Sequence, residues 1–445
     1  MPPSLMPRTT VRQPTGHDEA RALGKAPAPR GLGRLLGAQL VSDLGDGITA
    51  VALPLLVFSE AGIGATSLVF VITALPGLLF GLHAGLLADR FDRKRLVVLS
   101  HVARGLLLLS VPLLYDWGGV PAVAALAFLS RSFGVLERPA YSAALPALAG
   151  ERFQSFLGQR AALQFLAQAL GPVAGGALVA VIGAQSAILL DAVSFLLAAV
   201  VVVTIPSFDQ TKQQRREARA ARVIRVGQDL IEGLRASLGH PVARGLLGYW
   251  FVSIAAVPIA LLAAIPYITV TLGGSSLQYG IAVACYAVGS IVGSVVSGKL
   301  SFRGHRRAWL LAAGTTYGAV NLVMVAEPNL LVFCALWVVW GLAYGPEEVI
   351  GQMLFAEAVP DVLRGRAYSV LGVVLSVATI IGYAIAGVLI EALGPPRTMV
   401  IAGVLFIVAS TWAFGLSPLA RSLSRAERTA TVESTKDRPG GQSND

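Results

Sequence analysis

The sequence predicts an all-α polytopic membrane protein, with twelve transmembrane helices in two six-helix bundles. Two compositional observations support this fold class. The 445-residue chain is 55% hydrophobic and only 13% charged, whereas soluble domains average about 25% charged residues. Its mean hydropathy is +0.69. A third observation is that twelve apolar stretches approach the roughly 20 residues that a helix needs to cross a bilayer.

The twelve predicted spans follow one another along the chain with one long interruption after the sixth. Their approximate limits are 35–58, 66–88, 96–115, 120–141, 156–182, 186–205, 246–270, 279–300, 308–325, 330–351, 368–393 and 398–416. The interruption divides the chain, so we expect five regions. They are a disordered cytoplasmic tail (1–34), an N-terminal bundle (35–206), a cytoplasmic linker (207–245), a C-terminal bundle (246–417) and a second disordered tail (418–445). Within the linker, apolar residues at helical spacing over 223–238 predict an amphipathic helix on the membrane surface.

The basic residues predict the orientation of the chain. All but three of the 35 Lys and Arg residues lie in the tails, the linker or the loops on one side, the exceptions being Arg104, Arg131 and Arg397. Because basic loops remain in the cytoplasm, we expect both termini to be cytoplasmic in a plasma-membrane protein. The same distribution explains the net charge of +10 without a nucleic-acid partner. It predicts attraction to anionic lipids, and we expect a monomer.

A charged loop joins the second and third spans, in the sequence Gly85-Leu-Leu-Ala-Asp89-Arg90-Phe-Asp92-Arg93-Lys94-Arg95. A glycine before the loop lets two helices approach closely. An acid beside several arginines can pair with them or with a helix end. The candidate gate residues are Gly85, Asp89, Arg90, Arg93 and Lys94.

This loop resembles the signature loop of the major facilitator superfamily of membrane transporters, in which it is implied to lock the cytoplasmic gate. Asp92 stands where the usual pattern has glycine. In this respect the loop is similar to the branch of drug and siderophore exporters that includes the macrolide efflux proteins. The resemblance implies two parallel six-helix halves with a binding site between them near the bilayer midplane.

Span five contains a second motif, Gly171-Pro172-Val-Ala-Gly175-Gly176. Its proline removes a helix hydrogen bond and favours a kink, and its glycines allow close packing. The motif resembles the one typical of drug:proton antiporters within the superfamily, although Ala167 replaces a glycine of the wider pattern. A kinked packing helix is the alternative interpretation, and both can hold.

The two halves of the chain repeat each other. Gly298-Lys-Leu-Ser-Phe302-Arg303-Gly-His-Arg306-Arg307 aligns with the charged loop that begins at Gly85. Its glycine and three basic positions agree, while Phe302 replaces the acid. Gly171 and Gly176 of span five likewise align with Gly382 and Gly387 of span eleven. The two correspondences predict a duplicated six-helix unit.

Ionisable residues inside spans cost about 2.5–3.5 kcal/mol each on insertion scales and are therefore functional candidates. Asp43 and Asp46 lie three residues apart in span one and share a helix face, which suits proton coupling or substrate contact. Pairing with an arginine that holds two helices together is the alternative. Arg131, in span four, is the expected counter-ion of Asp46. In the superfamily an arginine in this span often belongs to a proton-relay motif, which resembles this site only weakly because Gly134 follows after three residues and not four.

Four further acids complete the candidate set. We expect Glu137 near the cytoplasmic end of span four, where it could pair with the Asp89 loop. Glu347 and Glu348 of span ten could attract a cationic substrate, take up a proton, or simply be solvated near a helix end. Asp191 is expected near the outer end of span six, as a cap or a partner in an ion pair. Aromatic residues look scattered, so no aromatic cage is expected.

The sequence contains no phosphate-binding glycine-rich motif, so we expect no cofactor, no ATP site and no enzyme. Cys285 and Cys334 show no metal-ligand spacing and are expected to be packing residues. The favoured function is secondary active export of a small amphipathic molecule by proton antiport with alternating access. A nutrient importer or uniporter and a non-transporting membrane sensor are the alternatives.

Overall fold

The computed structural model describes residues 31–149, 153–205, 226–300, 302, 305–417 and 419–424. Within these ranges the side chains of 82–83, 85–90, 143–149 and 226 are not described. The predictions for the first 30 residues, for linker residues 206–225 and for the tail from 425 onward lie outside the described residues.

Twelve helices, α1 to α12, build the described part of the chain. Their bounds are Leu32–Arg90, Arg93–Leu109, Val111–Ala149, Phe153–Ile182, Ala184–Val203, Val226–Gly239, Pro241–Pro266, Ser276–Ser297, Arg306–Val323, Leu330–Ala358, Arg364–Leu393 and Pro395–Ser410. Short π-helical turns at Tyr267–Thr271 and Thr411–Leu416 extend α7 and α12. Within the described residues, ten helical segments are long and apolar enough to cross a membrane.

Two glycines divide the longest helices into separate spans. Gly62 in α1 has φ +74° and Gly119 in α3 has φ +56°, a conformation that favours glycine because it has no β-carbon. Helix α1 therefore contains spans one and two. Span three is α2 continued by the start of α3, and span four is the rest of α3. The predicted all-α fold with twelve spans in two bundles is confirmed.

The turns between spans alternate between two ends of the molecule. We call the end that carries the charged 91–92 turn and the helix α6 the linker end. The opposite end, with the turns at Gly62, Gly119, Gly183 and Gly394, is the distal end. Helices α1 to α5 form one bundle, and α7 to α12 form the other.

The two bundles meet at the distal end. Ser67 donates a hydrogen bond to the Tyr383 carbonyl oxygen at 2.5 Å, and the ring of Phe70 stacks on that of Tyr383 at 4.8 Å. On the other side of the molecule, the Ser276 hydroxyl donates to the Gly176 carbonyl oxygen at 3.1 Å. These three contacts lie in the distal half of the helices that make them.

Both charged loops secure the last helix of their own bundle, as a duplicated unit predicts. The Lys94 ammonium donates to the carbonyl oxygens of Val203, the last residue of α5, and of Ile205 just after it, at 2.8 and 2.6 Å. Arg307 occupies the aligned position in the second repeat. Its guanidinium donates to the Phe414 carbonyl oxygen at 2.5 Å, where the π-helical extension of α12 ends. Basic side chains at these ends satisfy free helix carbonyls.

The described part of the linker contains α6, Val226–Gly239, where the sequence predicts a helix over 223–238. Its small residues face the other elements: a β-carbon on Gly233 would lie 2.5 Å from the Arg366 carbonyl oxygen. Arg366, at the start of α11, forms ion pairs with Asp229, at 2.8 Å, and with Glu232. The apolar side chains on the other face are exposed; they are Ile231, Leu234 and Leu238.

Candidate functional site

A buried arginine and a half-exposed aspartate form the centre of the N-terminal bundle. The Arg104 guanidinium of α2 donates to the Asp46 carboxylate of α1 at 2.6 Å. The Arg104 side chain is 8% exposed and that of Asp46 is 38% exposed. Asp46 shares its helix face with Asp43 and with the exposed Ala50. The Asp46 carboxylate is therefore partly accessible, whereas the arginine that binds it is buried.

The prediction that Arg131 is the counter-ion of Asp46 is wrong, because Arg104 fills that role. Arg131 has no ion pair within the described chain. Leu129, two residues earlier on α3, lies on the opposite face of the helix, and its side chain is 44% exposed. Arg131 is exposed and lies within electrostatic range of Tyr383 of the other bundle. Two arginines occur in neighbouring spans, and only helix rotation decides which one reaches Asp46.

Glu137 and His101 extend the polar group into the bundle. Glu137 is buried, with its carboxylate 3.8 Å from the Arg104 guanidinium and 3.5 Å from the His101 imidazole. The guanidinium also lies over the ring of Phe195 at 3.9 Å. We expected Glu137 near a helix end, but α3 continues to Ala149. The helix runs beyond its apolar window, so Glu137 lies well inside it.

Asp191 belongs to the same group, and its predicted place near the end of span six is wrong. Helix α5 begins at Ala184, so Asp191 lies about two turns inside it and cannot cap it. Its carboxylate is fully buried and accepts hydrogen bonds from Thr49 at 2.5 Å and from Ser194 at 3.1 Å. The carboxylate fits there because Gly45 has no side chain to overlap it.

Sequence reasoning missed His101, Thr49 and Gly45 as members of this group. A usable signal was present, because Gly45 and Gly47 flank Asp46 and two glycines in an apolar span mark close approach of neighbouring helices. Asp43, by contrast, accepts a hydrogen bond from Gln39 at 3.1 Å and has no ion pair in the described chain.

The two acids of α10 occupy different environments. Glu347 is buried in the C-terminal bundle, where Trp250 donates to one carboxylate oxygen at 3.1 Å and Tyr317 to the other at 2.9 Å. Glu348 is partly exposed and accepts from Gln352 at 3.2 Å. Because α10 ends at Ala358, neither acid is solvated at a helix end, which excludes that alternative.

The aromatic residues are not scattered in space as they are in sequence. Five of them, from three helices of the C-terminal bundle, form one connected cluster with ring centroids 4.9–6.4 Å apart. They are Tyr286, Tyr317, Phe333, Trp337 and Trp340. Tyr286 and Tyr344 of this bundle are only partly buried. Residues that are distant in sequence meet at helix crossings, which a linear reading of the aromatic residues does not show.

The charged loop shows what its unusual acid does. Asp92 precedes α2, and its carboxylate accepts the backbone N–H of Arg95 at 2.9 Å, which is the usual contact of an N-cap. Arg93 is buried, and Lys94 binds the end of α5 as described above. The side-chain surroundings of residues 85–90, which include Gly85, Asp89 and Arg90, are not described, and the predicted gate role of these residues stays a prediction.

The glycines of the Gly171–Gly176 motif lie at two helix crossings. Within the bundle, a β-carbon at Gly171 would lie 2.8 Å from Gly47 Cα, and one at Gly175 would lie 2.8 Å from the Ile48 carbonyl oxygen. Across the seam, a β-carbon at Gly176 would lie 2.5 Å from the Ser276 carbonyl oxygen. The motif therefore fits α4 against both α1 and the other bundle.

Comparison with known proteins places these features in a family. A family model described as Major Facilitator Superfamily matches residues 35–263 and 245–439. The chain is 29% identical to the multidrug efflux pump Tap of Mycobacterium tuberculosis, over 81% of this chain and 87% of that protein. It is 24% identical to macrolide efflux protein A of Streptococcus pyogenes, over 75% of this chain and 82% of that protein.

Solved structures with the same fold are also transporters. A bacterial homologue of the iron transporter ferroportin, in an inward-facing state, superposes with a TM-score of 0.65 at 14% identity, covering 87% of this chain and 100% of that one. A D-xylose-proton symporter superposes with a TM-score of 0.63 at 16% identity, covering 87% and 97%. At these identities the superpositions show the fold.

The family match spans both bundles and confirms the resemblance drawn from the charged loop and the span-five motif. Membership of a transporter family agrees with the prediction that the protein is not an enzyme. It also indicates an integral membrane protein with a small-molecule substrate. The chain belongs to the Major Facilitator Superfamily.

Proposed function

We propose that the protein exports a small amphipathic molecule by proton antiport with alternating access. The observation that carries the proposal is the Asp46–Arg104 pair, in which a partly exposed carboxylate is bound by a buried arginine at 2.6 Å. Arg104 has a second partner, Glu137, at 3.8 Å. A proton on Asp46 would remove its charge and release Arg104 towards Glu137. Two alternative pairings of this kind can bias two conformations.

The export direction is supported by the relatives and by the span-five motif. Relatives named as multidrug and macrolide efflux proteins match most of this chain. The span-five motif lies at the seam between the bundles, where the Ser276 hydroxyl donates to the Gly176 carbonyl oxygen. A change in the angle between the bundles would therefore alter the packing at this helix crossing.

The positive-inside rule predicts that the linker end, which carries the basic loops, is cytoplasmic, and the contacts described between the bundles lie towards the opposite end. An exporter takes up its substrate from the cytoplasmic side. The polar residues available to a substrate come from both bundles: Asp46, Arg131 and Glu348 are at least partly exposed. In this proposal Asp89, Arg90 and Arg93 close the cytoplasmic side in the opposite state. The protein acts as a monomer in contact with anionic lipids.

The test is efflux of a panel of fluorescent amphipathic compounds from cells, with and without a protonophore. We expect efflux that the protonophore abolishes, and we expect Asp46→Asn to reduce efflux to the level of cells lacking the protein. Expression should be unchanged, because Asn keeps a hydrogen-bond acceptor for Arg104. Asp116→Asn is the matched control, since Asp116 is an exposed acid near the distal turn at Gly119.

Proton-driven efflux that survives in Asp46→Asn would contradict the role given to this residue. Accumulation of a compound in place of efflux would indicate an importer. Efflux that is insensitive to the protonophore but depends on sodium would replace the coupling ion and keep the exporter.

A further inference from the structure

The polar group of the N-terminal bundle contains more acids than bases. Three carboxyl groups, those of Asp46, Glu137 and Asp191, lie within electrostatic range of one guanidinium, that of Arg104. The His101 imidazole contacts Glu137, and Asp43 lies one turn from Asp46. If all three acids were ionised beside Arg104, the group would carry an uncompensated negative charge in an apolar interior. Such a charge is strongly unfavourable unless a proton neutralises it.

Asp191 is the acid least able to remain ionised. Its side chain is fully buried, and no cation lies within 4.0 Å of it in the described parts of the chain. Asp46 and Glu137, by contrast, each have the Arg104 guanidinium within that distance. The other neighbouring helix, α4, contributes Arg160, but that guanidinium lies over the Tyr141 ring.

The partners of Asp191 suit a carboxyl group that can hold a proton. Both are hydroxyl groups, from Thr49 and Ser194, and a hydroxyl can donate to a carboxylate or accept from a carboxylic acid. Thr49 also lies one turn from Asp46 on α1. Two buried atoms of the same group, Glu137 Oε2 and Arg104 Nε, have no hydrogen-bond partner in the described chain. The group is therefore not fully satisfied in this arrangement, which leaves room for a proton-linked rearrangement.

We propose that Asp191 is a second proton-binding site of the transporter, and that its carboxyl group holds a proton in the arrangement seen here. The site rests on Gly45, which leaves space for the carboxyl group, and on the hydroxyl groups of Thr49 and Ser194. Only its part in transport rests on the proposed proton antiport. The protonation itself does not require a substrate or a gradient.

The test is infrared spectroscopy of the purified full-length protein near neutral pH, where protonated carboxylic acids give a carbonyl band separate from that of carboxylates. We expect Asp191→Asn to remove the intensity of one carboxylic acid from this band. Glu137→Gln and the exposed control Asp116→Asn should leave that intensity in place. An unchanged band in Asp191→Asn, or its loss only in Glu137→Gln, would overturn the proposal.

A second variant keeps the test decisive if Asp191→Asn does not fold. Thr49→Val keeps the shape of the side chain and removes the hydroxyl that bonds to Asp191. We expect this variant to retain the carboxylic-acid band and to shift its frequency, because the carbonyl loses a hydrogen-bond donor. A band with the wild-type frequency would overturn the assignment to Asp191. Since neither measurement involves efflux, a failed efflux assay leaves the result intact.

Discussion

Glu347 shows how a buried acid can hold helices together without a cation. Its two carboxylate oxygens accept from Trp250 of α7 and from Tyr317 of α9, so one side chain on α10 connects three helices. Both donors are themselves buried. Removing the acid would leave two buried donors without a partner, and the energetic penalty of unsatisfied buried groups exceeds the value of the hydrogen bonds themselves.

Replacing Glu347 with Leu is therefore expected to destabilise the protein, because each unsatisfied donor costs about 1–3 kcal/mol. Glu347→Gln should cost less, since its amide oxygen can still accept one of the two bonds. The measurement is thermal unfolding of the purified protein. Glu348→Gln is the control on the next residue, where the partly exposed side chain should tolerate the change. A Leu variant as stable as the wild type would show that the two bonds contribute little.

At the scale of elements, α4 and α11 play equivalent roles in the two bundles. Each presents one glycine to the first helix of its own bundle and another to the opposite bundle. The four crossings pair Gly171 with Gly47, Gly382 with Ala255, Gly176 with Ser276, and Gly387 with Ser67. The sequence repeat therefore corresponds to close backbone contacts that occur at equivalent positions in the two bundles.

A side chain at Gly176 is expected to open the distal seam, because its β-carbon would lie 2.5 Å from the Ser276 carbonyl oxygen. The measurement is labelling of Ser276→Cys by an impermeant thiol reagent, with Cys285 and Cys334 replaced by Ser. Gly176→Ala should speed the labelling. Gly158→Ala on the same helix is the control, since nothing lies within 4 Å of its β-carbon position. Equal labelling rates in the two variants would argue against a tight crossing.

The caps supplied by the two charged loops can be ranked. Arg307 donates hydrogen bonds to the carbonyl oxygens of Phe414 and Gly415 and to the hydroxyl of Ser424. Lys94 makes two at a more exposed site. A cation at an exposed helix end contributes about 0.3–1 kcal/mol, and a hydrogen bond to a charged group about 1.5–3 kcal/mol.

We therefore expect Arg307→Gln to lower the unfolding temperature more than Lys94→Gln does. Arg95→Gln should have almost no effect, because the Arg95 side chain is 89% exposed. Thermal unfolding of the three purified variants gives the order. A larger effect for Lys94→Gln than for Arg307→Gln would reverse the ranking drawn from the contacts.

For the whole molecule, the two ends differ in their contacts and in charge. The contacts described between the bundles lie towards the distal end, and the basic loops lie at the linker end. The positive-inside rule then predicts that the linker end is cytoplasmic.

Labelling in intact cells tests this orientation. Trp117, 87% exposed near the distal turn, and Val362, 90% exposed at the linker end, offer matched positions for single cysteines in the background lacking Cys285 and Cys334. An impermeant reagent should label Trp117→Cys in intact cells and should label Val362→Cys only after permeabilisation. The opposite pattern would invert the proposed topology.

The sequence by itself determined the fold class, the number of spans, the internal repeat and the family. These depend on composition, apolar length and local motifs, which a linear reading contains in full. The same reading identified Asp46 as an intramembrane acid, because a charge in an apolar span is visible without any neighbour.

Only the tertiary structure decided which residues meet. It chose Arg104 over Arg131 as the partner of Asp46 and moved Asp191 and Glu137 from helix ends into the interior. It also gathered dispersed aromatics into one cluster. The physical reason is that helix rotation and the true helix ends are set by packing against other helices, through small residues such as Gly45 and Gly171, and packing joins residues that lie far apart in sequence.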